Sequence, residues 1–181
     1  MQDLGYLTKE IRLQVQRDHA LLLAERAFDK TRPARFVRGV AVSGSEKNAN
    51  GDAFHARGLT ASLPVPFLIG HEYSEVVGLV SGLDIRGSQV YFTAEIFNAL
   101  RMQTAHEAWA ALTEQRMKCV SAGFRNLDPK PYQQTWASWT IDELSLVEIG
   151  ADTGAKILRV WEKSRTVSLY RPDETVYWSA P

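Results

Sequence analysis

Between residues 36 and 161 the chain is a succession of short extended runs broken by one convincing helix, and this pattern narrows the possible folds more than any other feature. Residues 36–43 read as a strand, and a polar loop with Asn48, Asn50 and Gly51 follows over residues 45–52. After a short apolar run at residues 64–69, residues 75–85 and 88–97 form two strands of a hairpin joined at Asp84-Ile85-Arg86-Gly87. The helix starts at Thr104, where Thr104-Ala105-His106-Glu107 is a capping box, carries Ala105, Ala108, Trp109 and Leu112 at helical spacing, and ends near Met117. Strands are expected again at 119–124, 136–149 and 155–161, the first two separated by a loop through Pro129 and Pro131. Many short strands with few helices predict a β-rich α+β fold: a closed or nearly closed β-barrel of about six to seven strands with surrounding helices.

The flanks are less decisive. Ile11, Leu13 and Val15 alternate with Arg12, Gln14 and Gln16, a period of two that reads as a half-buried strand over residues 9–17. A helix would follow from an Asp18 N-cap, with Leu21, Ala24 and Phe28 on one face, stopped by Pro33; the alternative is one helix over residues 8–30. Residues 166–170 and 175–179 flank Arg171-Pro172-Asp173-Glu174 as a small hairpin. The expected division is an extension at 1–34, a barrel domain at 35–162 and a tail at 163–181.

Charge and cysteine content exclude several classes of function. The 21 basic residues balance 21 acidic ones, so no electrostatic drive toward nucleic acid exists. The single cysteine, Cys119, excludes an internal disulfide and a multi-thiolate zinc site. Apolar stretches such as residues 20–24 and 65–70 fall far short of the ~20 residues of a membrane helix, and no basic-then-apolar leader opens the sequence. No glycine-rich phosphate loop is present, and His71, Glu72 and His106 lack a recognised metal-ligand spacing, so neither cofactor nor metal is expected.

Hydrolysis by a serine needs a hydroxyl, a base, a group that orients the base and donors for the oxyanion. Ser121, in Val120-Ser121-Ala122-Gly123-Phe124, is followed by small residues that let a carbonyl approach the backbone; on its residues alone the structural serine is much the commoner reading. His71 closes an apolar run after Gly70, where a strand end would deliver a base to a cleft, or simply cap the strand. His55 in its polar loop, His106 at a surface position on the helix and His19 are poorer candidates. Glu143 shares strand parity with Ile141, Val147 and Ile149, which puts a carboxylate on an apolar face, where it needs an imidazole donor, an arginine or a proton. Glu72 adjoins His71 but points the other way. Cys119 shares the parity of Ser121 and offers a thiol alternative.

Taken in order, Gly51-Asp52, Gly70-His71, Ser121-Ala122-Gly123-Phe124 and Glu143-Leu144-Ser145-Leu146-Val147, with Ala151 and Ala155 beyond, resemble the tailed-phage prohead proteases over residues 35–162. Ala122 departs from the family's usual Ile, and Gly150-Ala151 from its Pro-Ala. The resemblance implies the barrel of the herpesvirus assemblin group. It also implies a serine endopeptidase of capsid maturation that cleaves scaffold and major capsid proteins, and itself, inside the procapsid in the host cytoplasm. In that resemblance Ser121 is the nucleophile, His71 the base and Glu143 the third member, with Ala122, Gly123 and Arg125 as oxyanion candidates and room for a homodimer. The competing expectation is a procapsid or virion component that uses the same barrel only to bind.

Overall fold

The computed structural model describes residues 9–44, 46–127 and 135–164, so the expected loop prolines and the tail hairpin lie outside the described residues. Helix α1 (Lys9–Ala27) precedes strands β1 (Ala34–Val42), β2 (Ala53–Phe54), β3 (Leu59–Thr60), β4 (Val65–Ile69), β5 (Glu72–Arg86) and β6 (Gln89–Ile96). Helix α2 (Gln103–Thr113) and strands β7 (Cys119–Asn126), β8 (Thr135–Trp136), β9 (Trp139–Val147) and β10 (Lys156–Lys163) complete the order. Seven strands run β9-β4-β5-β6-β1-β10-β7, and β7 pairs back onto β9 to close the ring. The fold is therefore a closed mixed seven-stranded β-barrel with two helices among the described residues, as the short-strand pattern predicts. Closure removes most of the strand edge that an open sheet of this length would expose.

All barrel pairings are antiparallel except β4 with β9. The weakest link is β10 with β7, which share one register position, Lys156 opposite Cys119, supplemented by Val120 N–H to Ala155 O and Ile157 N–H to Lys118 O. The interior is filled by alternate residues of the strands: Val37, Phe67, Val77, Val80, Phe92, Ala94, Ile96, Val120, Leu144 and Leu146 are all essentially inaccessible.

Several expectations are corrected. Residues 9–17 are not a strand; they open the single helix α1. Val15, expected to be half-buried, is 58% exposed, and the buried stripe is Ala20, Ala24 and Ala27. Asp18 is no N-cap but sits mid-helix, where its Oδ1 accepts from Gln14 Nε2 at 2.8 Å. The capping box does not form: α2 begins at Gln103 with Met102 as N-cap, and Glu107 receives Gln103 Nε2 instead. The helix stops at Thr113, short of Met117. The hairpin turn is Gly87-Ser88, with Arg86 opposite Gln89, so β5 runs through the first three residues of the expected turn tetrapeptide and only its Gly87 is in the turn. Residues 136–149 divide into β8 and β9.

A buried asparagine ties α1 to the barrel. Asn98, 1% exposed, accepts Asp29 N–H at 2.7 Å through Oδ1 and donates through Nδ2 to Pro33 O at 2.9 Å. Its own N–H, with that of Ala99, reaches Ala27 O at the helix end, beside an edge-on Phe28–Phe97 contact. Asn98→Ala removes an acceptor and a donor from a site closed to water, and should cost about 1–3 kcal/mol. Urea unfolding should show a lower midpoint at unchanged slope.

Candidate active site

Strand β9 is the spine of the site, because it pairs on one side with β4 and on the other with β7. Leu68 of β4, Ser145 of β9 and Ser121 of β7 thus lie in one row, and Gly123 lies opposite Glu143 in the next. Directly opposed antiparallel residues project from the same face, so Ser121 and Gly123 share the face of Ser145 and Glu143.

His71 reaches that face from a turn and not, as expected, from a strand end. Gly70 and His71 are the two loop residues between β4 and β5, with φ of 59° and 64°. Two positive φ values are what a type I′ hairpin turn requires; glycine adopts one freely, and histidine is among the side-chain-bearing residues that tolerate the other. Gly70 N–H bonds Leu146 O at 3.0 Å and anchors the turn over β9. The imidazole then meets the carboxylate: His71 Nδ1 lies 2.7 Å from Glu143 Oε1. A carboxylate can only accept, so Nδ1 carries the proton and the neutral ring keeps its lone pair on Nε2.

Glu143 is on this outer face for a reason the parity count misses. The β7–β9 register shifts between Gly123 and Phe124, so that Glu143 opposes Gly123 while Ile141 opposes Phe124. The bulge puts Ile141 in the barrel and turns Glu143 toward His71. Ile149, expected to share a buried face with it, is 88% exposed. The Glu143 side chain is 5% exposed against 45% for His71, so the carboxylate is roofed by the ring. Its second oxygen accepts the Ser145 hydroxyl at 2.7 Å. A Cβ at position 123 would fall on the Glu143 carboxylate, so only glycine fits beneath it.

Other candidates are placed elsewhere. Arg125, expected near an oxyanion, grips Asp142 through Nε at 2.6 Å and Nη2 at 2.9 Å. Glu72 is exposed. Cys119 opposes Val147, two positions farther from Glu143 than Ser121 is. His106 is not a plain surface residue: Nδ1 is 2.9 Å from Arg35 Nη1 and Nε2 is 3.1 Å from Ala99 O, which separates it from His71 and Glu72. Among the described residues no cluster of three or more metal-ligating side chains occurs. Ser121 Oγ and His71 are not hydrogen-bonded to each other.

Ser121 and Ala122 line a small cleft with Asn48, Asn50, Ala151 and Asp152. Its floor is an aromatic cluster in which Phe54 meets Phe124 at 4.4 Å and Trp139 at 4.9 Å between ring centroids. Asp52, from the expected Gly51-Asp52 pair, accepts Trp136 Nε1 at 2.9 Å and braces the same wall. Val120 N–H points away from β9 and Leu127 N–H toward Ser138 beside it. Strand alternation therefore turns Ala122 N–H to the edge facing the cleft and Gly123 N–H toward β9. Beyond Val120 no described strand pairs with that edge.

The electrostatics follow from the contacts. The hydrogen bond that His71 donates to Glu143 raises the His71 pKa above 6.5; burial opposes this and the carboxylate's charge adds to it. Burial, with the carboxylates of Glu143 and Asp142, pushes the Tyr73 phenol up to about 12 while Arg125 pulls it down, so Tyr73 stays neutral.

The barrel with its flanking helices is the fold of the herpesvirus assemblin proteases. The protease of Kaposi's sarcoma-associated herpesvirus, solved with a hexapeptide phosphonate inhibitor, superposes with a TM-score of 0.50 at 15% identity over 72% of this chain and 66% of that one. The varicella-zoster virus protease gives a TM-score of 0.46 at 15% identity over 70% of this chain and 64% of its own. The chain thus spans just under two-thirds of the length of these proteins. No known family model matches the chain, and neither does any curated protein.

Because the folded pKa of His71 is raised, the pair contributes stability that is fully present below pH 6.5 and is lost as pH rises through the raised value. NMR titration of the His71 ring should give a midpoint above 6.5 that falls toward 6.5 in Glu143→Gln. Gly123→Ala should displace the carboxylate, lower the same midpoint and cost about 1–3 kcal/mol as an overpacking change, read by thermal unfolding.

Proposed function

We propose that the chain is a serine endopeptidase of capsid maturation, acting on scaffold and major capsid proteins, and on itself, inside a tailed-phage procapsid. The observation that carries this reading is the 2.7 Å His71–Glu143 pair on the barrel face that also bears Ser121. Phage origin, substrates, self-cleavage and host-cytoplasmic location rest on the motif order Gly-Asp, Gly-His, Ser-Ala-Gly-Phe and Glu-Leu-Ser-Leu-Val.

In this mechanism His71 Nε2 takes the Ser121 proton as Oγ attacks the scissile carbonyl and later returns it to the leaving amine. Glu143 holds the ring in the Nδ1–H tautomer and stabilises the imidazolium. The oxyanion donor is Ala122 N–H, turned to the cleft, rather than Gly123 N–H; Arg125 is committed to Asp142. An extended substrate segment could lie beside Ser121 along the edge of β7 with which no described strand pairs beyond Val120, the backbone pairing that peptide-binding sheets use. The Ser121–His71 hydrogen bond, absent in the free chain, forms as substrate closes the site, as loose apo geometry allows.

That missing hydrogen bond also supports a second reading, a procapsid component that binds through the barrel without catalysis. One comparison separates them. Co-expression with scaffold and major capsid protein should give processing by the wild type and essentially none by Ser121→Ala, a loss on the order of the ~10²–10⁴-fold that a general base alone supplies, or more. A fluorophosphonate should label Ser121. Equal processing by both chains, with no labelling, would sink the peptidase. Activity blocked by iodoacetamide without fluorophosphonate labelling would transfer the nucleophile to Cys119. Activity should rise with pH through the raised His71 value, the acid limb lying above 6.5.

A further inference from the structure

Ser145 has no role in the mechanism above, yet its hydroxyl closes a ring of hydrogen bonds through the site. It is fully buried on β9. Its Oγ accepts the His71 backbone N–H at 3.1 Å and donates to Glu143 Oε2 at 2.7 Å, while the other oxygen of that carboxylate takes His71 Nδ1–H at 2.7 Å. The circuit runs from the backbone of His71 through Ser145 and Glu143 to the side chain of His71. Both ends of one residue are thereby fixed to one carboxylate.

Three features make this more than a satisfied core hydroxyl. The amide of the second residue in a two-residue hairpin turn is not part of the strand ladder, so the His71 N–H has no strand partner and takes a side-chain oxygen. The hydroxyl proton is committed to the oxygen that His71 does not use, which fixes the roll of the carboxylate about its own axis. Gly123 removes the steric wall on the third side, so hydrogen bonds rather than packing set the position of Glu143.

We propose that Ser145 is a positioning residue, which holds the His71 ring and its turn in the geometry that base catalysis requires by binding the His71 backbone and the Glu143 carboxylate together. Its catalytic consequence rests on the peptidase reading; its effect on His71 does not. The charged group that faces the ring is Glu143 from β9; Asp142 and Arg125, paired with each other, act with Glu143 on the nearby Tyr73 of β5, and Ser145→Ala changes none of these groups.

The experiment has two arms. NMR of the wild-type chain should show the His71 amide protected from hydrogen exchange, although it lies in a surface turn, and the His71 ring titrating above its ordinary value. In Ser145→Ala the ring should titrate closer to 6.5, and Ser145→Thr, which keeps the hydroxyl, should recover part of the shift. In the second arm, the rate of fluorophosphonate modification of Ser121 should fall at least about tenfold in Ser145→Ala, a portion of the ~10²–10⁴-fold a general base supplies, with its acid limb moved to lower pH. A Ser145→Ala ring that titrates at or above the wild-type midpoint overturns the proposal. So does free exchange of the wild-type His71 amide, which is decisive even where the alanine variant does not fold. Absent fluorophosphonate labelling in the wild type, with the NMR shifts as expected, counts against the peptidase and leaves the positioning of His71 by Ser145 standing.

Discussion

A carboxylate that is almost wholly removed from water sets the terms for this structure. An ionised group in such a place costs several kcal/mol unless its lone pairs are occupied, and mutual attraction compensates only where the partners are well placed. Glu143 meets that demand with an imidazole on one oxygen and a hydroxyl on the other, over a residue without a side chain. Each partner comes from a different part of the barrel: the β4–β5 turn, β9 itself and β7. The fold can be understood as the arrangement that brings those three to one point.

The strand order explains how. A purely antiparallel meander would leave β4 far from β9; their parallel pairing places the β4–β5 turn over the C-terminal part of the strand that carries Glu143. The β7–β9 ladder then delivers Ser121 from the other side, and its register shift decides which way Glu143 faces. The His71–Glu143 contact depends on a pairing between β4 and β9, segments more than 70 residues apart, so it forms only when those strands come together.

Much of the barrel was legible in the sequence because half-buried strands alternate, and β1, β6, β7 and β10 lie near their expected positions. At the N-terminus the alternative of one helix holds over the strand-then-helix reading; the strand reading arises because the buried stripe is three alanines, Ala20, Ala24 and Ala27, too small to compete with a chance alternation of Ile11, Leu13 and Val15. Ser121, His71 and Glu143 stood out as chemical types, but nothing local indicates that His71 and Glu143 touch. The bulge that reorients Glu143 leaves no mark in its own strand, since it is a property of the pairing. Ser145 was visible only as part of a motif; a lone hydroxyl between leucines looks like ordinary strand filling. The one local signal for its role is the Gly-His turn, which forces a backbone N–H out of the ladder and toward whatever acceptor lies beneath.

The two-residue length of that turn also bears on how such a chain can diverge. Most barrel loops absorb insertions with little penalty, because loop closure depends weakly on length. Here a single added residue would carry the imidazole away from β9 and break the register that anchors Gly70 to Leu146. Variation in length is therefore channelled to the other connections, such as the polar segment after β1. The spacing between His71 and Glu143 can stay constant while those segments change.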